Sequence, residues 1–248
     1  MKIIFSPTKT QKISHEINFT NTKPFFKKES DFLVDIIQSK SKRDLSKILK
    51  TSVKITDEIF DVYMDFNNSG KMVSAIESFS GTSFKQLDIL NYSNKELHFL
   101  QKNICIMSGL YGVLRPFDGI QKYRLDFENN LFTENKEYKN LFDFWNKKIS
   151  NYFENEDIIL NLASDEYSKN LKKNFPDKIH SIYFLNIKNG ILKSVSMSVK
   201  KQRGKMLDYI IKNNITNFSL LKKYKNDGYS FDAEKSDKQN YYFIELEK

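Results

Sequence analysis

The chain has 248 residues, 40% apolar and 29% charged, with 21 Phe and 13 Tyr; it is too aromatic for a disordered tail and long enough for a sizeable core. Forty Lys and Arg against 31 Asp and Glu leave a net charge of +9, which favours phosphate-rich or anionic partners without dictating a fold. A single Cys excludes an intrachain disulfide, a Cys-based zinc site and a Cys-ligated iron–sulfur cluster, and no apolar run approaches the ~20 residues a bilayer needs.

The first predicted element is a short buried strand over 2–5, Lys-Ile-Ile-Phe, stopped at Ser6-Pro7 because the residue before Pro is pushed out of helix. This apolar start is far too short for a signal peptide, so the expected location is the cytoplasm. Residues 29–66 read as three helices. The first is capped near Ser30-Asp31 with Phe32, Leu33, Ile36 and Ile37 on one face; the second carries Leu45, Ile48 and Leu49. The third follows Thr56-Asp57 and carries Ile59, Phe60, Tyr63 and Met64. Further helices are predicted over 71–79 and 82–101, then a strand over 103–107 that ends in the turn Ser108-Gly109-Leu110-Tyr111-Gly112.

An amphipathic helix follows over 138–153, with Leu141, Phe142, Trp145 and Ile149 on one face. Residues 157–163 form a second buried strand that breaks at Ser164 into a short helix. Two β-branched-rich runs, 178–187 and 190–199, are joined by Asn189-Gly190, a strong hairpin signal. A helix over 205–215 turns Met206, Leu207, Ile210, Ile211 and Ile215 inward, and 240–246 reads as a closing strand. No repeat or linker divides the chain. The pattern predicts one α+β or mixed α/β domain over 1–248, a mixed sheet flanked by helices.

Of the cationic residues only four are Arg: Arg43, Arg115, Arg124 and Arg203. A guanidinium grips phosphate or carboxylate bidentately where Lys cannot, so these positions attract attention. Residues 104–124 hold Arg115 and Arg124, three of the eight Gly and the only Cys. A strand leading into a glycine-bounded turn beside Tyr111 and Arg115 suits an anion; the alternative is a tight structural turn whose Arg caps a helix. At Ser198–Lys205, the cations Lys200, Lys201, Arg203 and Lys205 crowd the predicted start of a helix, where a bound anion would neutralise them against the macrodipole; a solvated charge cluster is the simpler account. Asn161–Tyr167 places Asp165 and Glu166 in a first helical turn, where capping explains them, while a pocket carboxylate at a strand end is the functional alternative.

Ser6-Pro7-Thr8-Lys9-Thr10 lacks the glycines of a phosphate-binding P-loop. His15, His98 and His180 stand alone, so no metal and no cofactor is expected, and Cys105 within Ile-Cys-Ile-Met reads as an inert thiol.

Taken in order, Ile4–Thr10, Met107–Asp118 (Met-Ser-Gly-Leu-Tyr-Gly-Val-Leu-Arg-Pro-Phe-Asp), Tyr123-Arg124-Leu125, Phe144-Trp145, Asn161–Tyr167 and Lys200–Gly204 resemble the YaaA family of bacterial peroxide-stress proteins, over essentially the whole chain. The resemblance implies a cytosolic protein that limits oxidative damage under hydrogen peroxide and is linked to lowering reactive iron. It also implies a family-specific mixed α/β fold with a positively charged cleft, a helix-hairpin-helix-like element and binding to double-stranded and branched DNA. The residues that inherit this expectation are Lys9, Ser108, Gly109, Tyr111, Gly112, Arg115, Tyr123, Arg124, Lys200, Lys201 and Arg203.

Two functions follow. The first is a non-catalytic DNA-binding protein whose Arg115, Arg124 and Arg203 hold phosphates, assisted by backbone N–H groups. The second is an enzyme acting on a nucleotide or small anion, with Lys9, Arg115, Arg203 and Tyr111 as clamp and Asp165 as the proton-transfer candidate. Both require the scarce guanidiniums to converge with the loop glycines on one hollow, and Asp165 discriminates between them by pointing into the cleft or capping its own helix. Nothing has ligand spacing for iron, so an effect on iron is expected to be indirect. No membrane partner is expected.

Overall fold

The computed structural model describes residues 1–12, 20–66, 72–133 and 137–245. His15 and the outermost positions of two predicted elements, 71 and 246, lie outside the described residues.

Strand β1 (Lys2–Phe5) is apolar after Lys2 because both of its faces are covered there: Ile3 and Ile4 are wholly buried. A helical layer follows, made of α1 (Lys27–Gln38), α2 (Lys42–Leu49) and α3 (Val53–Met64). The predicted caps of two of these helices lie inside them. Ser30 is buried in the first turn of α1, its hydroxyl donating to Lys27 O at 2.8 Å, and Thr56 donates within α3 to Ser52 O at 3.0 Å. Both are back-bonded hydroxyls, a local option that competes with capping in the sequence pattern.

The stretch predicted as a helix over 71–79 is β2 (Val73–Ser74) and the single turn α4 (Ala75–Ser78). The predicted 82–101 helix begins only at α5 (Asn94–Asn103), preceded by two 3₁₀ turns, Phe84–Gln86 and Ile89–Asn91. A reciprocal box sets that start: Glu96 accepts from Ser93 N at 2.6 Å while Ser93 Oγ accepts from Glu96 N.

The chain then forms β3 (Ile104–Ser108), β4 (Gly112–Leu114), β5 (Gly119–Ile120), α6 (Leu141–Phe153), β6 (Ile159–Leu162) and α7 (Asp165–Asn174). The predicted hairpin is β7 (Ile179–Lys188) and β8 (Ile191–Lys193), turning through Asn189 and Gly190, both at positive φ. Its second arm is short, because α8 (Ser196–Lys212) begins at Ser196 and not at Lys205. The inward face of α8 runs Val199, Gln202, Met206 and Ile210, and the buried Gln202 interrupts the apolar period that would otherwise reveal the earlier turns. Helix α9 (Phe218–Leu221) and strands β9 (Lys225–Asn226), β10 (Tyr229–Asp232) and β11 (Asn240–Glu245) complete the chain.

The main sheet runs β4-β3-β1-β6-β7-β11-β10-β9, with β8 beside β7, and β2 pairs with β5 apart from it. Strands β3, β1, β6, β7 and β11 are parallel; β4, β10 and β9 add antiparallel edges. Helix α6 packs on α7 and α5 on α8, so this is a mixed sheet flanked by helices, the fold class the sequence predicts. The connection leaving β1 leads to β3 on one side, whereas β6 leads through α7 to β7 on the other. Opposite departures from adjacent parallel strands open a crevice beyond their carboxyl ends, the usual ligand position in open α/β sheets.

Candidate functional site

The glycine-rich turn does not face that crevice. Gly112 has φ +68°, and a Cβ there would lie 2.6 Å from the Trp145 ring; a Cβ on Gly109 would lie 2.3 Å from Leu125 O. Trp145 is fully buried and donates from Nε1 to Gly109 O at 2.9 Å, sealing the turn from the α6 side. Ser108, Tyr111 and Tyr123 are 0–5% exposed. The hydroxyls of Ser108 and Tyr123 bond to each other at 2.7 Å, and Ser108 Oγ accepts from Tyr111 N at 2.9 Å. Burial holds both tyrosines well above the ordinary phenol range. These glycines allow close packing between backbone and ring, and the turn joins strands β3 and β4, not two helices.

Arg115 is partly exposed but committed to a buried partner. Its Nε and Nη2 donate to Asp118 Oδ1 at 3.1 and 2.8 Å, its backbone N–H donates to Oδ2 at 2.8 Å, and Nη2 also reaches Lys23 O. Asp118 is completely buried, so this pair, with two guanidinium N–H groups on one carboxylate oxygen, keeps its charge compensated. Arg115 caps no helix and does not join the other guanidiniums. Cys105 is buried in β3 and its thiol is pushed up to about 12 by desolvation, which leaves it protonated and unreactive in the folded state.

The crevice beyond β1 and β6 is a cleft of about 370 Å³. Phe5 and Leu162 end the two strands at its base, and the loop Ser6–Thr10 forms one wall. The Ser164 backbone N–H, at the start of α7, donates to Ser6 Oγ at 2.8 Å, which ties that loop to the helix. Gly81–Phe84 and one face of α8 close the other side. Gly204 permits this approach: a Cβ there would lie 2.1 Å from Ser83 O, and Ser83 Oγ donates to Lys200 O at 2.8 Å.

Three of the predicted residues, Lys9, Lys200 and Arg203, line this cleft. Lys200 and Arg203 are three apart and share a helix face, whereas Lys201 turns away and pairs with Asp227 at 3.0 Å. Arg124 and Tyr123 border a small adjoining hollow that shares Pro7, Thr8 and Lys9 with the cleft. The cations lie past the first turn of α8, so the expected conflict with its positive end does not arise. Among the described residues neither Lys200 nor Arg203 forms an ion pair; burial lowers the guanidinium pKa, and Asp165 acts against that shift.

The carboxylate in the cleft is Glu166, not Asp165. Asp165 turns outward to Lys172, 2.6 Å away, whose hydrogen bond holds its carboxyl below the usual range. Glu166 turns inward beside Asp126, which itself takes Lys9 at 3.1 Å and the Tyr167 hydroxyl at 3.0 Å. Desolvation, then repulsion from Asp126 and Glu128, raise the Glu166 carboxyl to about 7, opposed by a hydrogen bond from the Glu128 backbone and by Lys9. Sequence reasoning missed Glu166 because two successive acids in a first turn look alike until packing chooses between them. The proton-transfer group of the enzymatic reading therefore stands one residue on, and that reading loses Arg115 and Tyr111 from its clamp. Among the described residues no cluster of His, Cys, Asp or Glu could hold a metal ion, and no helix is long and apolar enough to cross a membrane.

The family model described as "Peroxide stress protein YaaA" matches residues 1–235. A UPF0246 protein of Crocosphaera subtropica is 40% identical over 232 residues, covering 90% of this chain and 91% of the relative. One from Finegoldia magna is 39% identical over 248 residues and one from Fusobacterium nucleatum 36% over 254, each covering 98% of both chains. With the match extending across both halves of the sheet and every wall of the cleft, the chain belongs to the peroxide stress protein YaaA family.

Proposed function

We propose that the chain binds DNA through its phosphates, with Lys9, Lys200 and Arg203 as contacts in the cleft and Arg124 beside it, and thereby limits iron-mediated damage to DNA under peroxide stress. The observation that carries this reading is the difference in pairing along α8. Lys201 and Lys205 share Asp227 as an ion-pair partner, while Lys200 and Arg203, on the cleft face, form no ion pair among the described residues. Cations without a direct ion pair in a concave site attract phosphate, and desolvation makes Arg203 favour an anion that can pair with it. Glu166, with its carboxyl near 7, is neutral part of the time at physiological pH and repels phosphate correspondingly less. Contacts of this kind give affinity without reading bases.

The test is duplex binding by fluorescence anisotropy across a salt series. The expected dissociation constant is roughly micromolar at physiological salt, with log K falling linearly against log salt at about 0.9 per phosphate contacted. Binding that is insensitive to salt, or absent at low salt, contradicts the reading.

A further inference from the structure

Two polar atoms in the cleft are withdrawn from water and bonded to nothing among the described residues: Glu166 Oε1 and Arg203 Nε. Burying such groups unpaired is costly, and native structures satisfy nearly all of them. These two come from different helices, α7 and α8, yet line the same hollow. The charges acting on them also differ: Asp126, Glu128 and Lys9 for Glu166, Asp165 for Arg203. The wall of the cleft thus holds an unpaired acceptor in one electrostatic setting and an unpaired donor in another.

With Glu166 ionised, a ligand that satisfies both must carry an anionic acceptor and a hydrogen-bond donor. The backbone of duplex DNA supplies only the first, since phosphodiester and ring ether oxygens accept and do not donate. It would pair with Arg203 and leave Glu166 facing more negative charge. Base edges and sugar hydroxyls carry the missing N–H or O–H. The volume of about 370 Å³ falls at the lower end of the ~300–1,000 Å³ typical of small-ligand sites.

We propose that the cleft holds a single nucleotide unit, its phosphate against Lys200 and Arg203 and an N–H or O–H of its base or sugar donated to Glu166. This rests on the phosphate-binding reading above and adds recognition of what the phosphate is attached to. The unit comes either from a free mononucleotide or from a nucleotide swung out of a DNA strand, and the chemistry at the two side chains is the same for both.

The experiment is calorimetric titration of the full chain and its Glu166→Gln, Glu166→Ala and Arg203→Ala variants. The probes are the four deoxynucleoside monophosphates, sulfate as an anion with no donor, a single-stranded oligonucleotide and its duplex. At least one monophosphate, or the single strand, is expected to bind about tenfold more tightly than the donor-free reference, sulfate for the former and duplex for the latter. Glu166→Gln and Glu166→Ala remove that preference, while sulfate and duplex bind as tightly as to the parent or more tightly, because the carboxylate's repulsion is gone. Tight binding of monophosphates alone identifies the free nucleotide; tight binding of the single strand alone identifies the strand. If both Glu166 variants bind every probe as the parent does, or if the parent shows no such preference, the nucleotide-unit proposal falls, while a loss of duplex binding in Arg203→Ala keeps the phosphate reading. If Arg203→Ala changes nothing, both fall.

Discussion

The glycine-rich segment 104–124 and the cleft face of α8 look alike in sequence, each combining Gly, Arg and neighbouring polar groups, yet they serve opposite ends. In the first, the groups about the turn have internal partners: Arg115 has Asp118, Ser108 has Tyr123, and Gly109 O has Trp145, while Arg124 at the segment's end borders the hollow beside the cleft. In the second, Arg203 Nε and Glu166 Oε1 have none among the described residues. Glycine in one permits a ring to press on the backbone; in the other it lets a helix reach a loop. The lesson is that unusual composition marks constraint, while unmet hydrogen-bonding capacity marks a place for a ligand.

That contrast has consequences that can be measured. The largest expected effect is in the sealed segment. Gly112→Ala combines a positive φ with a clash against Trp145 and should cost on the order of 3 kcal/mol, read as a lower urea midpoint. The fraction that remains folded should still bind DNA normally. Loss of DNA binding with full stability would mean that the turn contacts the ligand after all.

A smaller effect, of opposite sign, is expected in the cleft. The Glu166 carboxyl sits near 7 in the folded protein, above its ordinary value of 4.5, so the folded state holds the proton more tightly between those two pH values. Stability from this group therefore falls as pH rises through that window. Glu166→Gln should melt higher than the parent at pH 8 and at nearly the same temperature near pH 4. A variant that melts lower at pH 8 would show that Glu166 is structurally paired.

Much of the frame is legible from residues alone. Strands β1, β3 and β6 are mostly apolar because they are covered on both faces, and Asn189-Gly190 announces its hairpin through the positive φ both residues adopt. The start of α8 is hidden because Gln202 points inward, where Tyr224 donates to it at 3.0 Å, so the hydrophobic period lapses over the turns that carry Lys200 and Arg203. The choice between Asp165 and Glu166 depends on Asp126 and Glu128, some forty residues earlier, and on Lys172 two turns later; no local pattern contains it. Arg115 was legible as a bidentate residue, but its partner Asp118, three positions on, is also the simplest explanation of it.

Neighbouring lysines on α8 provide a test matched for charge, helix and sequence position. Lys200→Ala and Lys201→Ala remove the same charge from adjacent residues, one lining the cleft and the other paired with Asp227 outside it. If the cleft takes phosphate, Lys200→Ala weakens duplex binding and lowers the salt slope by about 1, while Lys201→Ala leaves both close to the parent. Equal losses in the two variants would mean that diffuse charge, and not this cleft, holds the DNA.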